Sequence, residues 1–382
     1  MATLSSSSVF AQSTKTLRVG VIGHTGRGNY GHGLDTVWKS IPQAQIVGVS
    51  DPNPAGLERA VQRLQAERGI PDYQEMLRVT RPDFVSVCPR HADQHHDMTL
   101  AALQSGVKGV YVEKPFCRTP AEADSLVDAS QARGAKIAVA HRNRYHPTLK
   151  VIDQFIAEGK LGKLLEIRGR GKGDRRGGDE DLWVLGSHVL NLIQYFGGTP
   201  RSCSSIMLHD GEPVAKTHLR DGAEGLGLLA ANELHARYEL SRGVIATFDS
   251  IANDGTDGAG FGLQLLGSKG TIHIQCDRSP LAHWIPSNPF QPSQEARPWV
   301  PISSAGVGQV EPNPLMIEKV QNHVTPVQDL IEAVADNRPP LCDAFAARHT
   351  VEMICGVFES HRQHGRAVPL PLEHREHPLT KL

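Results

Sequence analysis

Val112-Glu113-Lys114-Pro115 is the part of this chain best suited to do chemistry. It closes a strand-like run, Gly109-Val110-Tyr111-Val112. A lysine directly before proline is biased away from helix, towards extended backbone. Its ammonium is then held at the carboxyl end of a parallel strand, where open α/β sheets take their ligands. Far upstream, Leu17 to Ile22 reads as a buried strand that runs into Gly23-His24-Thr25-Gly26-Arg27-Gly28-Asn29-Tyr30-Gly31. Glycines in such a turn let the backbone approach a pyrophosphate, whose charge a following helix terminus favours. A dinucleotide turn and a fixed lysine at one sheet edge together suggest hydride chemistry.

The second strand ends in Ser50-Asp51-Pro52. An acid there can bond the ribose hydroxyls of NAD and would repel the extra phosphate of NADP, so NAD is favoured and NADP less so. Asp51 lies 28 residues after Gly23, beyond the usual spacing of about 20. The competing reading is a structural turn in which Asp51 caps the helix at Pro54.

The elements that must position these groups follow from periodicity. A helix is predicted from Gly33 to Ser40, a strand from Ile46 to Val49, and a helix from Pro54 to Glu67, whose Leu57, Ala60, Val61 and Leu64 share one face. Phe84 to Cys88 and Gly109 to Val112 are further strands, with a helix from His96 to Ser105 between them. Thr119-Pro120-Ala121-Glu122 is a capping box that starts a helix to Arg133, and Ile137 to Ala140 closes the sheet. Strands alternating with helices mean a doubly wound parallel sheet.

The pattern changes at His141. Helices are predicted at Pro147 to Glu158 and Asp181 to Tyr195, with a strand at Leu164 to Arg170. Strands follow without intervening helices: Cys203 to Leu208, Gly227 to Leu240, Val244 to Ile251, Gly262 to Gly267 and Thr271 to Gln275. This second part is therefore α+β with a mostly antiparallel sheet. Pro280 to Pro314 reads as a long loop, and Val324 to Asn337 and Ala344 to Gln363 as closing helices. The expected division is a tail or export-signal remnant at 1–16, a dinucleotide-binding domain at 17–140 and a substrate-binding and oligomerisation domain at 141–382.

Composition narrows the partners. The 382 residues carry 40 Lys+Arg and 41 Asp+Glu, a formal charge of −1. That balance gives no reason to expect nucleic acid or an anionic membrane surface. No apolar run is long enough to cross a bilayer. The six cysteines are scattered without a CxxC pair, which reads as free thiols. Val9-Phe10-Ala11 is like the small-residue end of an export signal, but the basic start and a full apolar core are missing. A periplasmic location follows if it is a truncated signal, a cytoplasmic one if it is a polar tail.

The residues quoted so far resemble the Gfo/Idh/MocA family of nicotinamide-dependent oxidoreductases. The carriers are Gly-Val-Ile-Gly at the first turn, Ser-Asp-Pro at 50–52 and Glu-Lys-Pro at 113–115. His-Arg-Asn-Arg-Tyr at 141–145, Leu-Gly-Ser-His at 185–188 and Leu-Leu-Gly-Ser-Lys-Gly at 265–270 add to them, as do Val-Glu-Met-Ile at 351–354 and Val-Pro-Leu-Pro-Leu at 368–372. The resemblance implies a Rossmann domain, an α/β domain with a large open sheet, assembly as a homodimer or homotetramer, and a sugar, polyol or sugar derivative as substrate. Lys114 matches the family's catalytic lysine, which stabilises a developing alkoxide. His188 matches the active-site histidine, suited to take the hydroxyl proton. Gly23, Thr25, Gly26, Arg27, Gly28, Asp51, Pro89, His96, Glu113, Lys114 and Asn143 are the implied cofactor contacts. Arg144, Tyr145, Arg175, Asp181, His188 and Asn191 are the implied substrate contacts.

The chain also departs from that pattern. Where the family helix carries an aspartate four residues before the histidine stands Val184, and where it carries one three residues after stands Asn191. Asp181 shares their helix face but lies roughly 10 Å from His188 along a regular helix. The loop from Arg168 to Asp181 is dense in charge and reads equally as a pocket lining for a hydroxylated or carboxylated sugar or as a solvated surface. His91, His95 and His96 invite a metal, but no second ligand cluster accompanies them and none is expected. The leading reading is an NAD-dependent dehydrogenase of a secondary hydroxyl. The alternative is a redox-neutral glycoside hydrolase or lyase that oxidises its sugar only transiently. A third is a catalytically inert NAD- or sugar-binding sensor, against which Lys114 and His188 speak.

Overall fold

The structure, a computed structural model, describes residues 16–382. The expected tail or export remnant thus lies, save for Thr16, outside the described residues. Six parallel strands form the first sheet: β1 Leu17–Ile22, β2 Ala44–Ser50, β3 Gly69–Ile70, β4 Phe84–Val87, β5 Gly109–Val112 and β6 Lys136–Val139. Their order is β3-β2-β1-β4-β5-β6, the doubly wound arrangement. The reversal between β1 and β4 opens the ligand crevice at their carboxyl ends. Helices α1 Pro54–Leu64, α2 Tyr73–Thr80, α3 His95–Gln104 and α4 Pro120–Arg133 connect the strands. The Thr119 side chain caps α4 by accepting the Glu122 amide, and the Asn53 side chain caps α1.

One crossover contradicts the sequence reading. No α-helix runs from Gly33 to Ser40; only a 3₁₀ turn, Val37–Ser40, forms between β1 and β2. The physical reason lies in composition. Gly26, Gly28, Gly31 and Gly33 all adopt positive φ, as does Asn29. A glycine costs a helix about 1 kcal/mol relative to alanine, so a helix cannot propagate through this stretch. Residues 24–29 instead form a short hairpin closed by a bridge between His24 and Asn29. The sheet face left bare by the missing helix is covered by Trp38, whose indole donates to Ser86, and by Val327 and Leu330 of a C-terminal helix.

The second sheet has eleven strands. After α5 Thr148–Ala157 come β7 Leu164–Arg170, β8 Pro200–His209, β9 Glu212–Pro213, then the small separate pair β10 Arg220–Asp221 and β11 Leu228–Leu229. They are followed by β12 Glu233–Leu240, β13 Ile245–Ile251, β14 Gly262–Gly267, β15 Gly270–Gln275, β16 Ala282–Pro286, β17 Val300–Ser303, β18 Gly306–Val307 and β19 Val368–Pro369. Every pairing is antiparallel except β7 with β13. Two expectations are corrected here. The segment read as a Pro280–Pro314 loop carries β16, β17 and β18, because sheet pairing overrides its Pro-, Ser- and Gly-rich composition. The predicted Gly227–Leu240 strand divides into β11 and β12 in two different sheets.

The helix that bears His188 is also not the regular one predicted. It runs as α6 Asp179–Asp181, a π-helical segment Leu182–Gly186, and α7 Ser187–Gly197. It packs with the long α10 Ala344–Arg362 on the inner face of the large sheet; α8 Pro314–Gln321 and α9 Val324–Ala335 complete the chain. Strand β13 alternates buried and half-buried residues, the signature of a sheet with one face covered. Its Phe248 is fully buried beneath the π segment. A β-carbon at Gly186 would come within 2.8 Å of that ring, and one at Gly169 of β7 within 3.1 Å. All six cysteines are buried and unpaired. No described helix is long and apolar enough to cross a membrane.

Removing the Phe248 ring should cost about 3–5 kcal/mol by lost transfer energy and the cavity left behind. Urea unfolding of Phe248→Ala measures it; a loss under 1 kcal/mol would show that the π segment does not rest on this ring.

Candidate active site

The chemistry-bearing groups meet where β5 and β6 end. Glu113 is 1% exposed. Its carboxylate accepts the Lys114 amide at 2.7 Å and pairs with His32 of the glycine-rich loop. Burial pushes this carboxyl up, but the His32 bond and the Lys114 charge outweigh it and hold it at about 2. Lys114, itself buried, donates from Nζ to the carbonyl of Val184 at 3.1 Å. The π segment explains why a mid-helix carbonyl is open to a side chain. An i→i+5 turn inserts a residue into the i→i+4 ladder and frees a backbone group. Val184 thus meets the lysine through its main chain, in a position where its side chain offers no carboxylate.

His188 lies one turn on from that segment, 6% exposed. Its Nδ1 faces Nδ1 of His141, two residues after β6, at 3.5 Å, with the rings perpendicular at 88°. Phe261 stands 6.1 Å from its ring centre. Burial, then His141, Lys114, Arg142 and His32, drive the His188 pKa well below the ordinary imidazole value. Burial and Lys114 take His141 down to about 3. Both rings are therefore neutral at neutral pH.

The other sequence-predicted substrate residues are not drawn to this point. Asp181 is fully buried and accepts the Ser250 hydroxyl at 2.7 Å and the Lys172 amide at 3.2 Å through one oxygen; its other oxygen has no protein partner. Burial raises its pKa to about 6 against the opposing Ser250 bond. Arg144 donates to the Asn191 carbonyl at 3.0 Å and stacks on Tyr195, so Arg144 and Asn191 hold each other. The Tyr145 hydroxyl accepts the Cys342 amide. Arg175 is exposed on the loop before α6. A cavity of about 700 Å³ does lie beside Arg144, Tyr195 and Arg242, but neither Lys114 nor His188 lines it. Chemistry rather than volume locates the candidate site.

The dinucleotide crevice is built differently from the sequence expectation. Asp51 is fully buried, and its carboxylate accepts the Thr25 amide and hydroxyl, the Tyr30 hydroxyl at 2.9 Å and the Asn53 amide at 2.9 Å. An acid so engaged pins the glycine-rich loop. The hairpin leans on the loop after β4: Arg90 donates its amide to the Gly28 carbonyl at 3.2 Å, Arg27 pairs with Asp93, and His24 meets Gln94. A β-carbon at Gly28 would come within 2.3 Å of the Arg90 nitrogen, so only glycine permits that approach. Asn143 exchanges two bonds with Asp277 at 3.1 Å each. The Pro89 carbonyl accepts from His95, and His96 reaches Ser125 and Asp97. Among the described residues no group of three or more His, Cys, Asp and Glu could hold a metal ion.

A cavity of about 420 Å³ remains at the carboxyl ends of β1 and β2, lined by Gly23, His24, Ser50, Pro52, Tyr73 and Met98 among others. Tyr73, Met98 and Pro52 give it an apolar wall beside the charged Arg27, Asp72, Asp93 and Asp97, and at Gly26 no atom lies within 4 Å of a would-be β-carbon. These residues fit the adenine half of a dinucleotide, with Lys114 further along the same sheet edge and His188 facing it from α7. Sequence reasoning missed His141, His32, His95 and Tyr30. His141 stood inside a quoted motif, and only its position after β6 marked it.

Residues 17–141 match the family model GFO_IDH_MocA, described as "Oxidoreductase family, NAD-binding Rossmann fold". D-apiose dehydrogenase of Paraburkholderia graminis is 27% identical over 47% of this chain and 52% of its own length. Levoglucosan dehydrogenase of Pseudarthrobacter phenanthrenivorans is 21% identical over 60% of this chain and 65% of its own length. The chain thus spans about half the length of such curated relatives. A levoglucosan dehydrogenase structure in complex with NADH and levoglucosan superimposes with a TM-score of 0.75, covering 94% of this chain and 100% of that one at 17% identity. An oxidoreductase domain protein from Kribbella flavida gives 0.72 over 94% and 100% at 20%. At these identities the likeness establishes the shared fold.

The raised Asp181 pKa sets a pH dependence of stability. Below about pH 4 the carboxyl is protonated in both folded and unfolded chains. Between there and about pH 6 the unfolded chain ionises first, so stability falls as pH rises and then levels off. Asp181→Asn should remove that decline and exceed the parent at neutral pH by on the order of 2–3 kcal/mol. Parallel urea-midpoint curves for the two proteins from pH 4 to 7 would refute it.

Proposed function

We propose that this chain, whose residues 17–141 match the GFO_IDH_MocA family model, is an NAD-dependent dehydrogenase of that family. Its substrate is a secondary hydroxyl of a sugar, polyol or sugar derivative. The observation that carries this is the buried cluster at the end of β5 and β6: one ammonium beside a neutral imidazole, in an α/β crevice with room for an adenosine. NAD, when bound, supplies the hydride acceptor. The residues Gly23, Thr25, Gly26, Arg27 and Gly28, with Pro52, Tyr73 and Met98, are the ones that would hold it.

The remaining work falls to the chain itself. An ammonium has three N–H donors, and Val184 takes one of those of Lys114. The others are available to a substrate oxygen, where a fixed positive charge in a dry site favours alkoxide over hydroxyl. His188 has an unprotonated ring nitrogen at neutral pH and takes the hydroxyl proton as general base. Burial of Lys114, His141 and His188 keeps water from competing for either role. The named relatives, D-apiose and levoglucosan dehydrogenases, carry out net oxidation by their names, which supports a dehydrogenase over the redox-neutral hydrolase or lyase.

Two measurements test this reading. The first is the molar ratio of NADH formed to sugar product on a panel of sugars, polyols and glycosides. A ratio near one is expected; product without NADH would establish redox-neutral chemistry instead. The second compares variants. Lys114→Ala should lower kcat by about 10²–10³-fold, the usual cost of losing one donor to a developing oxyanion, with NADH binding retained. Unchanged turnover would remove Lys114 from the mechanism. Because His188 stays neutral far into acid, kcat/KM should hold steady as pH falls through 6.5; an acid limb centred there would contradict the neutral base.

A further inference from the structure

His188 lacks both carboxylates that its helix could offer. Residue 184 is a valine, and Asn191 is held by Arg144 with its amide towards Thr350. What does face its Nδ1 is another imidazole, His141, 2% exposed, with ring centres 5.2 Å apart. Two neutral imidazoles meeting through Nδ1 hold one proton between them. One ring is then Nδ1–H with a bare Nε2, and its partner is Nε2–H with a bare Nδ1. Neither Nε2 has a bond within the described protein, and neither is sealed from the crevice as an unpartnered buried atom would be. The groups facing the pair are Lys114 at the end of β5, Arg142 and Arg144 on the turn after β6, His32 on the glycine-rich loop and Glu113 beneath. Three fixed cations against one carboxylate disfavour a standing imidazolium on either ring.

We propose that His141 is the positioning partner of His188, accepting its Nδ1–H and so turning a bare Nε2 towards the substrate hydroxyl. The inference rests on the reading above that His188 is the base. In turnover the hydroxyl O–H breaks and a proton bonds to His188 Nε2. The His188 Nδ1 proton passes to His141 Nδ1, and the His141 Nε2 proton leaves to water. Each ring stays neutral overall and exchanges tautomer, and the pair needs no carboxylate to balance charge. The starting state returns when His188 Nε2 gives its proton to water, the shared proton passes back from His141 Nδ1 to His188 Nδ1, and His141 Nε2 takes a proton from water.

The tautomers are read directly by long-range ¹H–¹⁵N spectra of the ligand-free, ¹⁵N-histidine-labelled protein at neutral pH, assigned with His188→Asn and His141→Asn. His188 as Nδ1–H with His141 as Nε2–H is expected. His188 as Nε2–H, or as an imidazolium, overturns the proposal. His141→Leu should release His188 to Nε2–H and lower kcat about 10²-fold, the low end of general-base effects, with KM little changed. His141→Asn, whose carbonyl can accept the same hydrogen, should keep His188 as Nδ1–H and recover kcat to within about ten-fold of the parent. Equal losses in both variants would make His141 merely structural and overturn the proposal. Should the leucine variant not fold, the parent and asparagine spectra decide alone. Because the spectra need neither cofactor nor sugar, the expected tautomers without any NADH formation would sink the dehydrogenase reading while leaving the pair. NADH formation with the wrong tautomers would do the reverse.

Discussion

The single bond from Lys114 Nζ to the Val184 carbonyl ties the two halves of this molecule together at the point of chemistry. The ammonium comes from the edge of a parallel sheet, the carbonyl from a helix packed on an antiparallel one. A buried ammonium without a partner would be strongly unfavourable, so the helix must present an acceptor there. The π segment provides one, and it is held in place by the packing of Gly186 and Gly169 against Phe248. The orientation of His188, one turn on, is a consequence of the same distortion. The buried Glu113 carboxylate completes the arrangement from below, fixing the Lys114 backbone and the glycine-rich loop at once.

Much of this could be read from residues alone, and the rest shows where such reading stops. Glu113-Lys114-Pro115 announced itself because proline restricts its neighbour and the preceding run is all strand formers. The Thr119 cap was equally legible, being a purely local device, although the Glu122 carboxylate takes the Arg118 amide and so leaves the capping box half formed. The expected helix from Gly33 is absent after β1 because Gly26, Gly28, Gly31 and Gly33 hold positive φ, which periodicity does not reveal. Strands β16 to β18 were hidden because their stability comes from pairing with β15, a contact that no local propensity encodes. The π segment has no sequence signature that periodicity could find. His141 was overlooked for a related reason: its role is defined by a residue 47 positions away.

Asp51 shows how a familiar position can acquire a different use. At the end of β2 an acid is placed to meet a ribose, yet here its oxygens are taken by Thr25, Tyr30 and Asn53. With no helix behind the turn, the loop needs another anchor, and the carboxylate is it. Charge at this spot still counts, since it remains buried beside the adenosine cavity. It shapes the loop through Thr25, Tyr30 and Asn53. A preference for NAD over NADP then belongs to the loop as a whole.

The hairpin at residues 24–29 is held differently at its outer edge and at its base. It reaches across to the loop after β4 through Arg27–Asp93 and is backed from the second sheet's side by Arg90–Glu224, both partly exposed ion pairs. Such pairs contribute roughly 0–1 kcal/mol each and weaken as salt rises. The same hairpin is also held by the Arg90–Gly28 and His24–Gln94 hydrogen bonds and, at its base, by the buried Asp51 carboxylate. Raised salt accordingly loosens the hairpin at its outer edge, at Arg27 and Arg90, and leaves the buried anchor of its base unchanged.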